Sequence, residues 1–468
     1  MKRMTNPKTA LGWLPAGALL ALLTGCAATA PMELPAFDFP AQFRGDSQDP
    51  SVSLADTDWH HIYTDAALQS LIAEALKAGP DALLATARLR ESQAIAMAVG
   101  SATMPQLAGV ISTSTAALLP GKNLSSTYVG GLNVSWELDL WGRYANASNA
   151  ARSDMMARDA SRHAIEASLV ANTASLYYQI AALRDSLRVT ESAVANQRDV
   201  LKLVQRLSAA GVSSSAEVRQ QESVVATTAV RVPALQRQIS EAENALSLLV
   251  GRIPGTVPFD VPASLSLPPL PPVGLPSSLL ERRPDLRQAV AQLQAANARV
   301  GEAKAQFFPS ISLTGLFGGV STSLTDLLSG QGATVASLGP NVLLPLYTGG
   351  ALRGNEQANL ARLDQAVISY RKSVLGALGE VADALKAYST SAQAMELQGQ
   401  RVTASLDVER LAEMRFGAGT TSFVEVLDAQ RQLLSAQTDS VQSLLDRRLA
   451  LVRLYLALGG GWAAQQQN

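Results

Sequence analysis

Two long stretches of the chain carry apolar residues at alternating spacings of four and three, which is the pattern of a helix that packs along one seam. From Leu169 to Val204, eight of eleven seam positions are apolar, and the same rhythm recurs from Val374 to Tyr388. The pattern predicts long helices at about 142–208 and 350–415. At about 1.5 Å per residue, the first would be about 100 Å long, which suits a rod or the wall of a tube.

Strict alternation of apolar and polar residues predicts β-strands in two places. In TYVGGLNVSWELDL, even-numbered positions from Tyr128 to Leu140 are mostly apolar, and ASLGPNVLLPL repeats the alternation from Ala336. We expect β-hairpins at about 105–140 and 309–347. They suit either a half-buried sheet of a soluble domain or strands of a membrane barrel. About eight strands are the minimum for a filled barrel, so four would need neighbouring subunits to complete it.

The chain is internally duplicated, because several short motifs recur at an offset of 204 or 208 residues. The matched positions are Pro80 with Pro284 at 204, and Gly142 with Gly350, Gly211 with Gly419, Glu217 with Glu425 and Gly251 with Gly459 at 208. This predicts two structural repeats, 58–251 and 276–460, with a tail at 461–468. Helices at about 213–250 and 421–458 end the repeats. Eight prolines within 252–276 make 252–275 a non-helical linker.

The N-terminus has the form of a secretory signal. A basic start is followed by an apolar run from Leu11 to Leu23, which is too short to span a bilayer comfortably. The single cysteine, Cys26, follows Gly25 directly. The motif resembles a bacterial lipoprotein signal and predicts a signal peptide at 1–25, a covalent lipid on Cys26 and an anchored strap at 26–57. An ordinary signal peptide with an incidental cysteine is the alternative.

Composition excludes several classes of function. The chain is 47% hydrophobic but only 5% aromatic, and its formal net charge is −1. The lack of a basic stripe gives no reason to expect a nucleic-acid partner. The three histidines, His60, His61 and His163, do not have metal-ligand spacing with a partner. We therefore expect no cofactor other than the lipid, no metal and no enzymatic activity.

Several motifs resemble the TolC family of outer membrane efflux proteins, nearest to NodT-type lipoproteins that work with resistance-nodulation-division (RND) pumps. They are GLPSSLLERRPDLRQAVAQLQAANARVGEAKAQFFPSISLTG (274–315), WELDLWGR (136–143), AAGVSSSAEV (209–218) and GAGTTSFVEVLDAQRQ (417–432). The resemblance implies a mainly helical protomer with a small β part in a homotrimeric channel. Three protomers would form a twelve-stranded outer-membrane β-barrel, a long periplasmic α-helical barrel and an equatorial domain.

The implied function is a passive duct in the outer membrane of a Gram-negative bacterium, which exports drugs or other toxic small molecules. A periplasmic adaptor and an inner-membrane RND-type transporter would dock at the helix tips. The glycine-containing turns at Gly211, Val212, Gly417 and Gly419 are then the docking positions. The alternatives are a type I secretion duct for proteins and a lipid-anchored periplasmic coiled-coil scaffold without a pore.

Acidic residues after the second turn are the candidate gate. By resemblance, the periplasmic gate comprises Val424, Glu425, Asp428 and Arg431. In some relatives an acid, a tyrosine and an arginine form a closing contact. This chain has Glu217 at the acid position but departs at the other two, with Phe416 and Thr421, so another contact must hold the closed state. Acids in a first helical turn are also favoured by the helix dipole alone, so a solvated helix start is an alternative. An acid–base pair is disfavoured because no histidine accompanies the carboxylates.

Overall fold

The computed structural model describes residues 35–37, 59–116, 125–255 and 279–460. The predicted signal peptide, Cys26, most of the strap and the linker, and the tail at 461–468 lie outside the described residues. Within the described part, the chain is mainly helical with one small antiparallel sheet, which confirms the predicted fold class.

The helices follow the repeat order. In chain order they are α1 Trp59–Ile62, α2 Ala66–Ala78, α3 Pro80–Gly100, α4 Arg143–Ala209, α5 Ser215–Ala229, α6 Arg231–Val250, α7 Leu279–Arg282, α8 Pro284–Ala305, α9 Leu324–Leu328, α10 Ala351–Gly417 and α11 Phe423–Ala457. The two long helices, α4 and α10, contain 67 residues each. None of the eleven predicted seam positions of α4 is exposed, so the heptad pattern identified the packed side of this helix.

One helix that the sequence predicts as continuous is divided into two helices in the structure. The sequence predicts a single helix at 213–250, but the structure has α5 and α6, which meet at Val230. Pro233, in the first turn of α6, has no backbone N–H to donate to the carbonyl of Ala229, and its ring crowds that carbonyl. Proline is tolerated in a first turn, so the helix restarts at Arg231 instead of ending.

The sheet contains four antiparallel strands in the order β1-β2-β3-β4. They are β1 Gln106–Ala116, β2 Ser125–Leu138, β3 Ser310–Ser321 and β4 Ala333–Leu343. The register places Leu107, Ile111, Leu132, Val134, Leu313, Phe317 and Leu338 on one face. Serine, threonine and asparagine dominate the other, so the sheet has an apolar and a polar face. At the paired Gly131 and Gly318 the backbones approach so closely that a Cβ on Gly131 would lie 2.4 Å from the carbonyl oxygen of Phe317.

The described residues form two compact units, and each takes segments from both repeats. The first lies within Arg90–Ala157 and Ala289–Tyr370 and contains the sheet. In it, Arg299 of α8 forms an ion pair with Asp154 of α4. The Trp141 indole, at the junction of β2 and α4, donates a 2.7 Å hydrogen bond to the carbonyl oxygen of Pro309, which fixes the start of β3.

The second unit lies within Ala36–Leu89, Arg158–Gln288 and Arg371–Asn468 and contains the helix turns. Its core includes the fully buried side chains of Ile72, Tyr177, Leu246 and Tyr455. Arg283 is buried beside it and donates to Asp285, to Glu380 of α10 and to the carbonyl oxygen of Ala457 at the end of α11. Breaking such a buried pair leaves an uncompensated charge, so these contacts hold α8, α10 and α11 in one arrangement.

Candidate gate at the paired helix turns

Both turns have the same backbone. After α4, Gly211 adopts φ +70° and the amide of Val212 donates to the carbonyl oxygen of Leu207 at 2.9 Å. After α10, Gly419 adopts φ +73° and the amide of Thr420 donates to the carbonyl oxygen of Arg415 at 2.9 Å. The left-handed residue favours glycine because a Cβ is strained there, and the backbone bonds satisfy the last helical carbonyls.

The first turn is held by hydrogen bonds. Ser214, the N-cap of α5, accepts a bond from the amide of Glu217 at 3.2 Å, and the Glu217 carboxylate accepts one from the amide of Ser214 at 2.7 Å. This reciprocal pair is a capping box. The Ser213 hydroxyl adds a third bond to the same carboxylate at 2.7 Å. These bonds, that of Ser213 above all, lower the pKa of the Glu217 carboxyl, because they stabilise its charged form.

The second turn is held by aromatic packing. Phe423 begins α11 and is almost fully buried, with its ring centroid 5.1 Å from that of Phe416 at the end of α10. Around it lie the buried Val204 of α4, Ala412 of α10, and Val426, Leu427 and Ala429 of α11, with Val218 of α5 packed against them. Ser422, the N-cap of α11, makes no side-chain capping bond.

The four predicted gate residues lie on the exposed side of α11. Val424 is 60% exposed, and the side chains of Glu425 and Asp428 are 55% and 54% exposed. Phe423, Val426, Leu427 and Gln430 form the buried side of the same turns. The burial pattern thus puts Val424, Glu425, Asp428 and Arg431 on one outward stripe.

Ion pairs around these acids are loose. Arg415 Nη1 lies 3.9 Å from Glu425 Oε2, and Arg431 Nη2 lies 3.4 Å from Asp428 Oδ1. Gln432 donates a shorter bond, 2.5 Å, to the other oxygen of Asp428. Exposed pairs of this kind contribute at most about 1 kcal/mol. Both carboxylates can therefore exchange their partners for water or for a passing cation at little cost.

The three predicted closed-state residues have separate surroundings. Among the described residues, the Glu217 carboxylate bonds to Ser213 and Ser214, whereas the Phe416 ring packs on Phe423. The Thr421 hydroxyl oxygen is buried and has no hydrogen-bond partner within the described part of the chain. The closed-state role of these three residues stays a prediction.

Sequence reasoning missed the buried amides of the turn region. Gln221 of α5 is fully buried and donates from Nε2 to the carbonyl oxygen of Gln197 on α4 at 2.8 Å. Gln430 of α11 is also buried, between two exposed gate positions in sequence. A glutamine on a helix is usually solvated, and only the heptad position of Gln197 gave a signal that it would face the packed side.

Two features are absent from the part of the chain that the structure describes. Across the described ranges, no three His, Cys, Asp or Glu side chains are grouped as a metal site would require. No described helix combines the length and the apolarity that crossing a membrane demands.

Comparisons with known proteins identify the family of this chain. The family model described as "Outer membrane efflux protein" matches residues 71–252 and 275–460. The solvent efflux pump outer membrane protein SrpC of Pseudomonas putida is 33% identical over 466 residues, covering 97% of this chain and 99% of the relative. The cation efflux system protein CusC of Escherichia coli is 34% identical over 457 residues, covering 94% and 96%.

A solved structure agrees with these relatives. The outer membrane channel MtrE of Neisseria gonorrhoeae, determined in its open state, is 30% identical, with a TM-score of 0.84 over 94% of this chain and 99% of that chain. This family forms channels and is not a family of enzymes. The chain belongs to the outer membrane efflux protein family, and it is the outer-membrane channel component of an efflux system, located in the outer membrane and extending into the periplasm.

Proposed function

We propose that three copies of this chain form one passive duct, and that Val424, Glu425, Asp428 and Arg431 form rings around its periplasmic mouth. The outward stripe of α11 carries this proposal, because these residues share one exposed face while the other face of the helix is buried. Three-fold symmetry turns each exposed side chain into a ring. Rings of carboxylates select cations at a pore.

The sheet supports the trimer. Its four strands run in chain order, so β1 and β4 are edge strands within one chain. Backbone groups within a membrane must be paired, and three copies of the sheet joined edge to edge would pair them all in twelve strands. The apolar and polar faces then become the lipid side and the water-filled side.

The partners follow from the place of the turns. We propose that a periplasmic adaptor docks at the turns containing Gly211, Val212, Gly417 and Gly419, and that an RND-type inner-membrane transporter supplies the energy. The residues of both turns are largely exposed, with Val212 at 74%. A lipid on Cys26 would anchor the N-terminus in the same membrane.

The exported compounds are proposed to be small toxic molecules. SrpC is a solvent efflux pump component and CusC belongs to a cation efflux system. These relatives favour small-molecule export over a type I secretion duct for proteins. They also count against a scaffold without a pore.

Conductance of the purified full-length protein in a planar bilayer tests the gate. The double substitution Glu425→Ala with Asp428→Ala removes both carboxylate rings, so we expect higher conductance or a weaker preference for cations. Glu241→Ala, which removes an exposed carboxylate of α6, is the control. Unchanged conductance and unchanged selectivity in the double variant contradict the gate roles. A complete lack of conductance in every variant contradicts the duct itself.

A further inference from the structure

The connection between β3 and β4 folds back onto the sheet. It contains α9, with the sequence LTDLL, and is closed by bonds from the amides of Gln331 and Gly332 to the carbonyl oxygen of Asp326, at 2.8 and 3.1 Å. β3 follows α8, and β4 leads to α10, so α9 lies at the opposite end of these strands from the long helices.

The position of the Leu327 side chain shows which face of the sheet α9 covers. A Cβ built on Gly130 or Gly319 would lie 3.3 or 3.0 Å from the Leu327 side chain. These two glycines are register partners on β2 and β3, so they share a face. Leu132 of β2 and Phe317 of β3 lie on that same face by the period of two. The connection between β3 and β4 therefore lies on the apolar face of the sheet.

A cleft of about 780 Å³ opens between α9 and this face, and we call it the glycine cleft. Its floor is formed by glycines of β1, β2 and β3, including Gly109, which expose backbone without side chains. Its walls are Ile111, Phe317 and Leu328, which are 76%, 64% and 72% exposed. No charged residue lines it, and Thr334 supplies the only lining side chain that is polar.

We propose that the glycine cleft holds one acyl chain of an outer-leaflet membrane lipid, with α9 as a clamp. The proposal rests on the proposed function in one respect, that the sheet crosses the outer membrane with its apolar face toward lipid. The cleft is continuous with that face, lacks charge, and lies at the end of the sheet remote from the periplasmic helices. Protein interfaces derive their specificity from hydrogen bonds and charges. The glycine cleft has no charged side chain and only one polar side chain to offer a protein partner, so it suits an acyl chain better.

The first test locates α9 in the membrane. The full-length protein with Leu328→Trp is reconstituted in phosphatidylcholine vesicles with or without brominated acyl chains, and the fluorescence of the parent protein is subtracted. Gln331→Trp, at the exposed polar side of the same connection, is the control. We expect roughly twofold stronger quenching at 328 than at 331, because only 328 lies among acyl chains. Equal quenching at the two positions overturns the proposal.

The second test fills the cleft. Gly109→Leu places a side chain where a Cβ has no atom within 4 Å, and Gly339→Leu does the same on the polar face of β4. Lipid retained per chain after detergent washing is counted by mass spectrometry. We expect Gly109→Leu to lose the lipid that the parent and Gly339→Leu keep, and equal retention in all three overturns the proposal.

A substitute variant and a conductance measurement complete the second test. If Gly109→Leu does not fold, Leu328→Ser is used instead, because it removes an apolar wall of the cleft at a position outside the strands. This variant must then lose the retained lipid. Conductance of each variant separates this proposal from the proposed function. A conducting channel that retains no lipid overturns the clamp alone. Lipid retention without conductance in both the parent and the Glu425→Ala, Asp428→Ala variant overturns the duct alone.

Discussion

The turn after α4 and the turn after α10 occupy equivalent places in the two repeats, yet different interactions hold them. Their glycines differ by only three degrees in φ, and their N-cap serines, Ser214 and Ser422, have nearly the same backbone angles. At the offset of 208, Phe416 and Phe423 correspond to Ser208 and the exposed Ser215. The first turn therefore depends on polar capping, and the second on an aromatic contact.

This difference changes what the matched glutamates do. Glu217 is occupied by the capping box, whereas its equivalent, Glu425, points outward near Arg415. Because Phe423 supplies the stability of the second turn, Glu425 is not needed as a cap. The two turns thus share one backbone, and in the second turn the carboxylate is left on the exposed side of α11.

The largest expected effect is at the aromatic contact. Phe423→Ala empties the centre of the second turn and should cost about 3–5 kcal/mol of local stability, as for other buried phenylalanines. Ser215→Ala, at the equivalent exposed position, should change stability by less than about 0.5 kcal/mol. Amide hydrogen exchange at the start of α11 and of α5 measures both. Equal costs at the two turns would contradict the division between packing and capping.

A smaller effect is expected at the N-caps. Ser214→Ala removes a side-chain cap and should destabilise the start of α5 by about 1 kcal/mol. Ser422→Ala removes no such bond and should cost less than about 0.5 kcal/mol. Exchange of the Glu217 and Glu425 amides reports the two changes. Equal costs at Ser422 and Ser214 would show that both turns are capped alike.

The smallest effect is a dependence on pH. The lowered pKa of the Glu217 carboxyl means that its contribution is fully present above the unfolded value, about 4.3, and is lost as pH falls through the lower folded value. The opening free energy of the first turn should therefore fall in acid. Glu217→Gln, which cannot titrate, should remove that dependence. A parent and variant with the same pH profile would show that Glu217 does not stabilise the turn by its charge.

Much of the fold was predictable because it depends on periodic burial. The heptad seam of α4 and the alternation in β2 each repeat over many residues, so single exceptions such as Thr173 and Gln197 do not hide the pattern. The glycines at 211 and 419 were predictable as turns, since the left-handed conformation favours glycine. The break at Val230 was missed because one proline three residues further on acts locally and has no periodic signature.

The candidate gate was predictable only as a set of positions. The sequence by itself determined the helices, the strands, the duplication and the stripe that carries Glu425 and Asp428, because spacing along a regular element decides which residues share a face. Only the tertiary structure decided that Glu217 is a cap, that Phe423 replaces one in the second repeat, and that Leu327 lies over Gly130 and Gly319. These contacts join residues distant in sequence or choose among several local partners, and spacing carries no information about either choice.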